Sequence, residues 1–232
     1  MNSKKSIWIY LVVVTGLFLM FSNSCKKGDN IPYLPATATD ADGNIYHEVS
    51  IGTQIWMAEN LKTTKYRNGD AIPNITDGTA WTKLTNGAYC YYNSDTANIR
   101  VYGNLYNWYS VSDSRNLAPA GWHVATDAEW SALRSWLGGT TVAGGKLKEK
   151  GTAHWITPNT GASNSEGFTA LPGGYRYFGA IFGSILNNGY WWSSTAFDSG
   201  SAWCRYISNN SAEIFSSKIN KELGFSVRCV KD

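Results

Sequence analysis

The second half of the chain consists of short phrases in which large aromatic side chains sit beside glycines. They are Gly121-Trp122-His123-Val124, Asp127-Ala128-Glu129-Trp130, Gly167-Phe168-Thr169-Ala170-Leu171-Pro172-Gly173-Gly174-Tyr175-Arg176, Gly189-Tyr190-Trp191-Trp192-Ser193-Ser194 and Gly224-Phe225-Ser226-Val227-Arg228-Cys229. An aromatic side chain buries roughly 150–250 Å², so 11 Trp, 14 Tyr and 8 Phe can fill a core without long regular elements. Glycines between them allow the tight turns such a core needs. The pattern predicts one compact, loop-rich domain.

The N-terminus reads as an export signal. Lys4 and Lys5 precede an uncharged apolar run of about 15 residues, Ile7 to Phe21, in the signal-peptide range and short for a membrane span. Ser22-Asn23-Ser24 and then Cys25 follow, the order of a bacterial lipoprotein signal, although Asn23 stands where a small residue is usual. The expected organisation is a signal over residues 1–24, a lipidated Cys25 with a tether over 25–38, and a domain over 39–232. A plain secretory signal with an incidental cysteine is the alternative. Lys26-Lys27-Gly28-Asp29 after the anchor fits export to the cell surface of an outer membrane, with its periplasmic face as the alternative. Removing Lys4 and Lys5 from the 20 basic residues leaves 18 against 17 acidic. The mature chain is near neutral, with no basic stripe for nucleic acid.

With Cys25 lipidated, Cys90, Cys204 and Cys229 remain in a compartment that permits disulfides. One pair and one leftover thiol is the simplest outcome: Cys90 with Cys229, or Cys204 with Cys229, with all three reduced as a further possibility.

Asp40-Ala41-Asp42-Gly43-Asn44 resembles the start of a calcium loop, but Ile51 holds the position where a bidentate Glu belongs. An Asp-Gly hairpin turn leading into a strand at 45–49, with 52–57 as the returning strand, is the better reading. Leu105, Trp108 and Tyr109 at i, i+3 and i+4 predict a helix from Gly103 to Ser110. Thr126-x-x-Glu129 is a capping box opening a second helix with Trp130, Leu133 and Leu137 on its apolar face and Gly138-Gly139 as its stop. A short third helix is expected at 144–150. Strands are predicted at 190–193, 202–207, 212–215 and 225–230, with Arg205 and Arg228 pointing away from the core or stacking on rings.

These phrases, with Trp56-Met57-Ala58-Glu59-Asn60-Leu61 and Tyr102-Gly103-Asn104-Leu105-Tyr106-Asn107-Trp108-Tyr109, resemble the Fibrobacter succinogenes major paralogous domain from about Asp42 to Val230. The resemblance implies a bacterial, often lipid-anchored surface protein. The implied fold is α+β: a C-type lectin-like domain, also similar to formylglycine-generating enzymes, with a small antiparallel sheet, two main helices and long ordered loops. Many members carry a cysteine where Ala118 stands here, so the usual partner of Cys229 is missing.

No catalytic set of the related folds is present. The copper-binding cysteine pair of formylglycine-generating enzymes and the Glu-Pro-Asn or Gln-Pro-Asp triplet of calcium-dependent lectins are absent from the sequence. His47, His123 and His154 have no ligand-like spacing, and Ser193-Ser194 lacks a Gly-x-Ser-x-Gly elbow. Asp127 and Glu129 are explained by the helix cap. No cofactor or metal is implied. What remains is a binding surface of aromatic side chains with polar tips among Asn, Ser and Gly. The candidate contacts are Tyr175, Arg176, Tyr177, Phe178 and Tyr190, with Tyr177, Phe178 and Tyr190 expected to be exposed, and the strands around Trp191, Trp203 and Tyr206 adjoin them. The expected function is a lipid-anchored binding or adhesion module for a glycan or protein. An enzyme, either a degenerate oxidase using Cys204 or a hydrolase, and a structural surface component are the alternatives.

Overall fold

The computed structural model describes residues 37–232; the signal segment, Cys25 and all but the last two tether residues lie outside them. Those two open β1 (Thr37–Thr39), which pairs antiparallel with β2 (Ile45–Ile51), so the folded domain starts before Thr39. The connecting turn is the Asp-Gly turn. The Asp40 carboxylate accepts from the backbone N–H of Asp42 and Asn44, from Asn44 Nδ2 and from Tyr46 Oη, and Gly43 takes φ +82°. β3 (Gln54–Met57) returns against β2.

Short pieces follow: α1 (Gly78–Trp81), β4 (Tyr89–Cys90), α2 (Ala97–Tyr102), β5 (Leu105–Tyr106) and α3 (Trp108–Val111). They correct the helix expected over Gly103 to Ser110. Gly103 turns the chain at φ +76°, Leu105–Tyr106 pairs with β4, and Asn107 caps only the single turn after it. The helical spacing of Leu105 and Trp108 arises from two different elements facing one core.

β6 (Trp122–Val124) leads to α4 (Asp127–Trp136), where the capping box is formed: Thr126 Oγ1 accepts from Glu129 N at 3.2 Å and Glu129 Oε2 from Thr126 N at 2.8 Å. Gly138 and Gly139, at φ +97° and +95°, end that segment. α5 (Thr140–Leu147) starts earlier than the helix expected at 144–150. The rest is β7 (Gly173–Arg176), β8 (Phe182–Ile185), β9 (Asn188–Ala196), β10 (Ser201–Ser208), β11 (Ile214–Asn220) and β12 (Cys229–Lys231).

The architecture is α+β with strands dominant, and larger than one small antiparallel sheet. One five-stranded sheet runs β1-β2-β3-β12-β6; a second runs β11-β10-β9-β7-β8, with β7 parallel to β9. The strand expected at 225–230 is regular only at 229–231. Before it, Gly224, Phe225 and Ser226 bridge in turn to Arg176, Tyr106 and Trp191, so this closing segment ties the two sheets together.

Arg205 and Arg228 are buried, correcting the outward orientation; Arg228 does stack, 4.4 Å above the Phe168 ring. Arg176, Lys148 and Lys221 are buried as well. Arg176, Lys148 and Lys221 donate to main-chain carbonyls. Buried loops carry C=O groups that no sheet ladder satisfies, and long cationic side chains supply the missing donors.

Neither expected disulfide is formed: Cys90, Cys204 and Cys229 are free, buried thiols. Cys90 belongs to a separate cluster with Trp81 and Leu105, while Cys204 and Cys229 sit in the main core. Burial pushes the Cys90 thiol up to about 11 and Cys204 up to about 12, and raises Cys229 further. Such thiols are inert at neutral pH.

Candidate functional site

Strand registry assembles the aromatic surface. Tyr206 on β10 lies opposite both Tyr190 on β9 and Phe215 on β11. The pairing of Gly174 with Gly189 sets Tyr175 on β7 beside Tyr190. Side chains alternate along a strand, so these rings share one face. Phe215, Tyr206, Tyr190 and Phe225 form a stacked column with centroid spacings of 4.7, 5.4 and 5.2 Å and interplanar angles of 14°, 25° and 21°. Trp192 anchors it in the core, 4.5 Å from Phe225.

Because ring faces are used within the column, solvent meets edges and hydroxyl tips there. The concavity lies beside it. Tyr175 meets Tyr190 edge-on at 5.3 Å and Tyr177 at 6.4 Å, and with Ile219, Leu223 and Phe225 these tyrosines line an open groove of about 180 Å³. That is below the roughly 300–1,000 Å³ that encloses a whole small-molecule ligand, so the groove suits one ring-sized group of a longer partner. Its lining carries no charged side chain. Asn188 Nδ2 donates to Tyr190 Oη at 3.0 Å, and burial raises the Tyr190 phenol above its usual value, so the tip remains a neutral donor.

The five candidates divide. Tyr175, Tyr177 and Tyr190 meet at the groove; Tyr177 is 44% exposed, while Tyr190 is half-buried. Phe178 is also half-buried, packed on Tyr177 at 4.7 Å. Arg176 is not a surface contact. One step along β7 points it into the core, 4.3 Å from the Trp81 ring, where it donates to the carbonyls of Ile75, Thr76, Asp77 and Gly179. Trp191 is likewise core, and Trp203 packs on Phe197 at 5.4 Å. Ile219, Leu223 and Phe225 are not among the candidate contacts read from the sequence; alternation along β11 from Phe215 places Ile219 on the same face.

The histidines are each tied to their own carboxylates. His47 Nδ1 meets Glu59 at 2.6 Å, and His154 Nδ1 meets Glu149 at 2.9 Å. Among the described residues no group of three His, Cys, Asp or Glu is arranged to hold a metal ion. His123 lies between Asp232 at Nδ1 and Glu129 at Nε2, both at 2.7 Å. A neutral imidazole has one N–H, so this geometry requires the charged form. Burial pulls its pKa down, but the bonds to Asp232 and Glu129 outweigh this and raise it above 6.5. Ser194 borders the same cavity as His123. However, Nε2, the atom that would take a serine proton, is bonded to Glu129, so the arrangement is a clamp between β6, α4 and the C-terminus.

Among the described residues no helix is long and apolar enough to cross a membrane. A family model, the Fibrobacter succinogenes major domain, matches residues 49–231. No curated protein and no solved structure matches.

Proposed function

The chain belongs to the Fibrobacter succinogenes major domain family, and from that premise we propose that it is a lipid-anchored, extracytoplasmic binding module with a C-type lectin-like fold. It is tethered to the outer membrane through Cys25, faces the cell exterior, and reads a glycan through the Tyr175–Tyr177–Tyr190 groove. The observation that carries this reading is the groove itself: uncharged, ring-sized, and walled by tyrosines with donor tips. The apolar C–H face of a sugar packs against Tyr175 and Tyr177 while its hydroxyls bond the tips, Tyr190 offering its edge and hydroxyl because Tyr206 and Phe225 cover its faces, and ring rigidity keeps the entropy loss small. An enzyme acting through Cys204 gains no support, since its thiol is buried and raised to about 12.

A glycan array probed with the detergent-solubilised chain, with Tyr177→Ala as control, tests the ligand. Binding lost in the variant supports the reading; a blank array with a partner captured from the cell surface replaces the glycan by a protein. A blank in both assays overturns it. Fatty-acid labelling abolished by Cys25→Ala tests the anchor, and protease shaving of intact cells tests the outward orientation.

A further inference from the structure

A second pocket, separate in lining from the tyrosine groove, is built around Arg228. The guanidinium, 1% exposed, donates through Nε to Asn60 Oδ1, through Nη1 to the carbonyls of Met57 and Phe168, and through Nη2 to that of Thr169. These are four of its five N–H groups. All four acceptors are neutral, and no carboxylate among the described residues lies in ion-pair distance. Arg228 borders a cavity of about 80 Å³ together with Glu59, Asn60, Lys62, Arg100 and Thr169. The other buried cations bound only to carbonyls, Arg176, Lys148 and Lys221, do not border this cavity.

The charge around it is lopsided. Three cations meet one carboxylate, Glu59, whose two oxygens are engaged by the ring and backbone N–H of His47. Burial lowers Arg228 to about 9, against the opposing pull of Glu59, and leaves it charged at neutral pH. Thr169 in the wall has φ +52°, an outlier for a β-branched residue, fixed by reciprocal bonds with the Asn164 side chain. A buried charge is ordinarily paired; here a buried cation without a carboxylate partner lines a cavity. A water needs about 10–15 Å³ by this measure, so 80 Å³ takes a group of a few heavy atoms and excludes a sugar ring.

We propose that this pocket binds a small oxyanion, a carboxylate or a phosphate, with Arg228 beneath it and Lys62 and Arg100 at its rim. The site stands independently of the glycan reading.

The reporter is the Trp191 indole N–H, which shares Asn60 Oδ1 with Arg228 Nε at 2.8 and 2.7 Å. The full chain is titrated with sodium acetate, sodium phosphate or sodium chloride at matched ionic strength, following that resonance and the thermal midpoint. A saturable shift with a raised midpoint in acetate or phosphate, absent in chloride, is expected, and the tighter ion identifies the chemistry. Lys62→Ala with Arg100→Ala, whose side chains make no buried hydrogen bond, should weaken binding about tenfold with the ligand-free midpoint unchanged. A linear drift equal to that in chloride, or an unaltered titration in the double variant, overturns the site.

Discussion

Two aromatic clusters of this molecule keep similar ring spacings and differ in what covers them. At one end, Trp56, Trp130, Phe168 and Trp191 are fully buried, with ring centroids 4.8–6.3 Å apart; Leu133 of α4 and Ala143 and Leu147 of α5 belong to the same cluster. At the other, Tyr175, Tyr190, Tyr206 and Phe215 keep similar spacings but remain half-buried. Ring chemistry alone does not separate core from surface; the presence or absence of a helix over the sheet does. The partly open end also uses tyrosine rather than tryptophan, which gives each ring edge a polar tip.

The comparison breaks most visibly at Trp191. Trp191→Ala should lower stability by about 3–5 kcal/mol, measured by denaturant unfolding, because it opens the core and removes a bond to Asn60. If it costs no more than a surface substitution, the two clusters are not distinct. Tyr190→Ala, half-buried, should lose about 1–2 kcal/mol together with ligand binding. Trp130→Phe sharpens the contrast within the core. The Trp130 Nε1 is buried without a partner among the described residues, and an unmade bond costs about 1–3 kcal/mol, so this change should be close to neutral while Trp191→Phe destabilises.

A smaller effect concerns the clamp. The folded pKa of His123 is raised, so its stabilisation is complete below about 6.5 and is lost as pH rises through the folded value. With the ring 37% exposed, screening limits it to about 1 kcal/mol. His123→Ala should flatten stability across that window, and an unchanged pH profile would remove the charged-histidine assignment. The smallest effect is at the open face: Tyr177→Ala should move stability by no more than about 0.5 kcal/mol while abolishing ligand binding. Thiol labelling gives an independent check on burial: Cys90, Cys204 and Cys229 should react only as fast as the chain unfolds.

Several features were legible in the sequence because they are local. The Asp40–Asn44 turn and the Thr126–Glu129 cap each complete their hydrogen bonds within a few residues. The helix expected over Gly103–Ser110 failed for the opposite reason: its pattern mixed a strand pair and a single helical turn whose partners, Tyr89 and Cys90, are distant in sequence. At the candidate site, Tyr175, Tyr177 and Tyr190 could be singled out by composition. Arg176 could not be excluded, because its inward direction follows from strand alternation and from the carbonyls of Ile75, Thr76 and Asp77, about a hundred residues away.

By itself the sequence determined the family, the aromatic means of filling the core, the export signal as an expectation, and the capped helix α4. Only the tertiary structure decided which rings are covered, that the three cysteines stay apart as thiols, and that Asn60, Trp191 and Arg228 from three separate phrases share one hydrogen-bonded centre. The division is physical. Propensity, capping and turn chemistry act over a few residues, whereas burial and the satisfaction of loop carbonyls depend on which distant segments the fold brings to the same place.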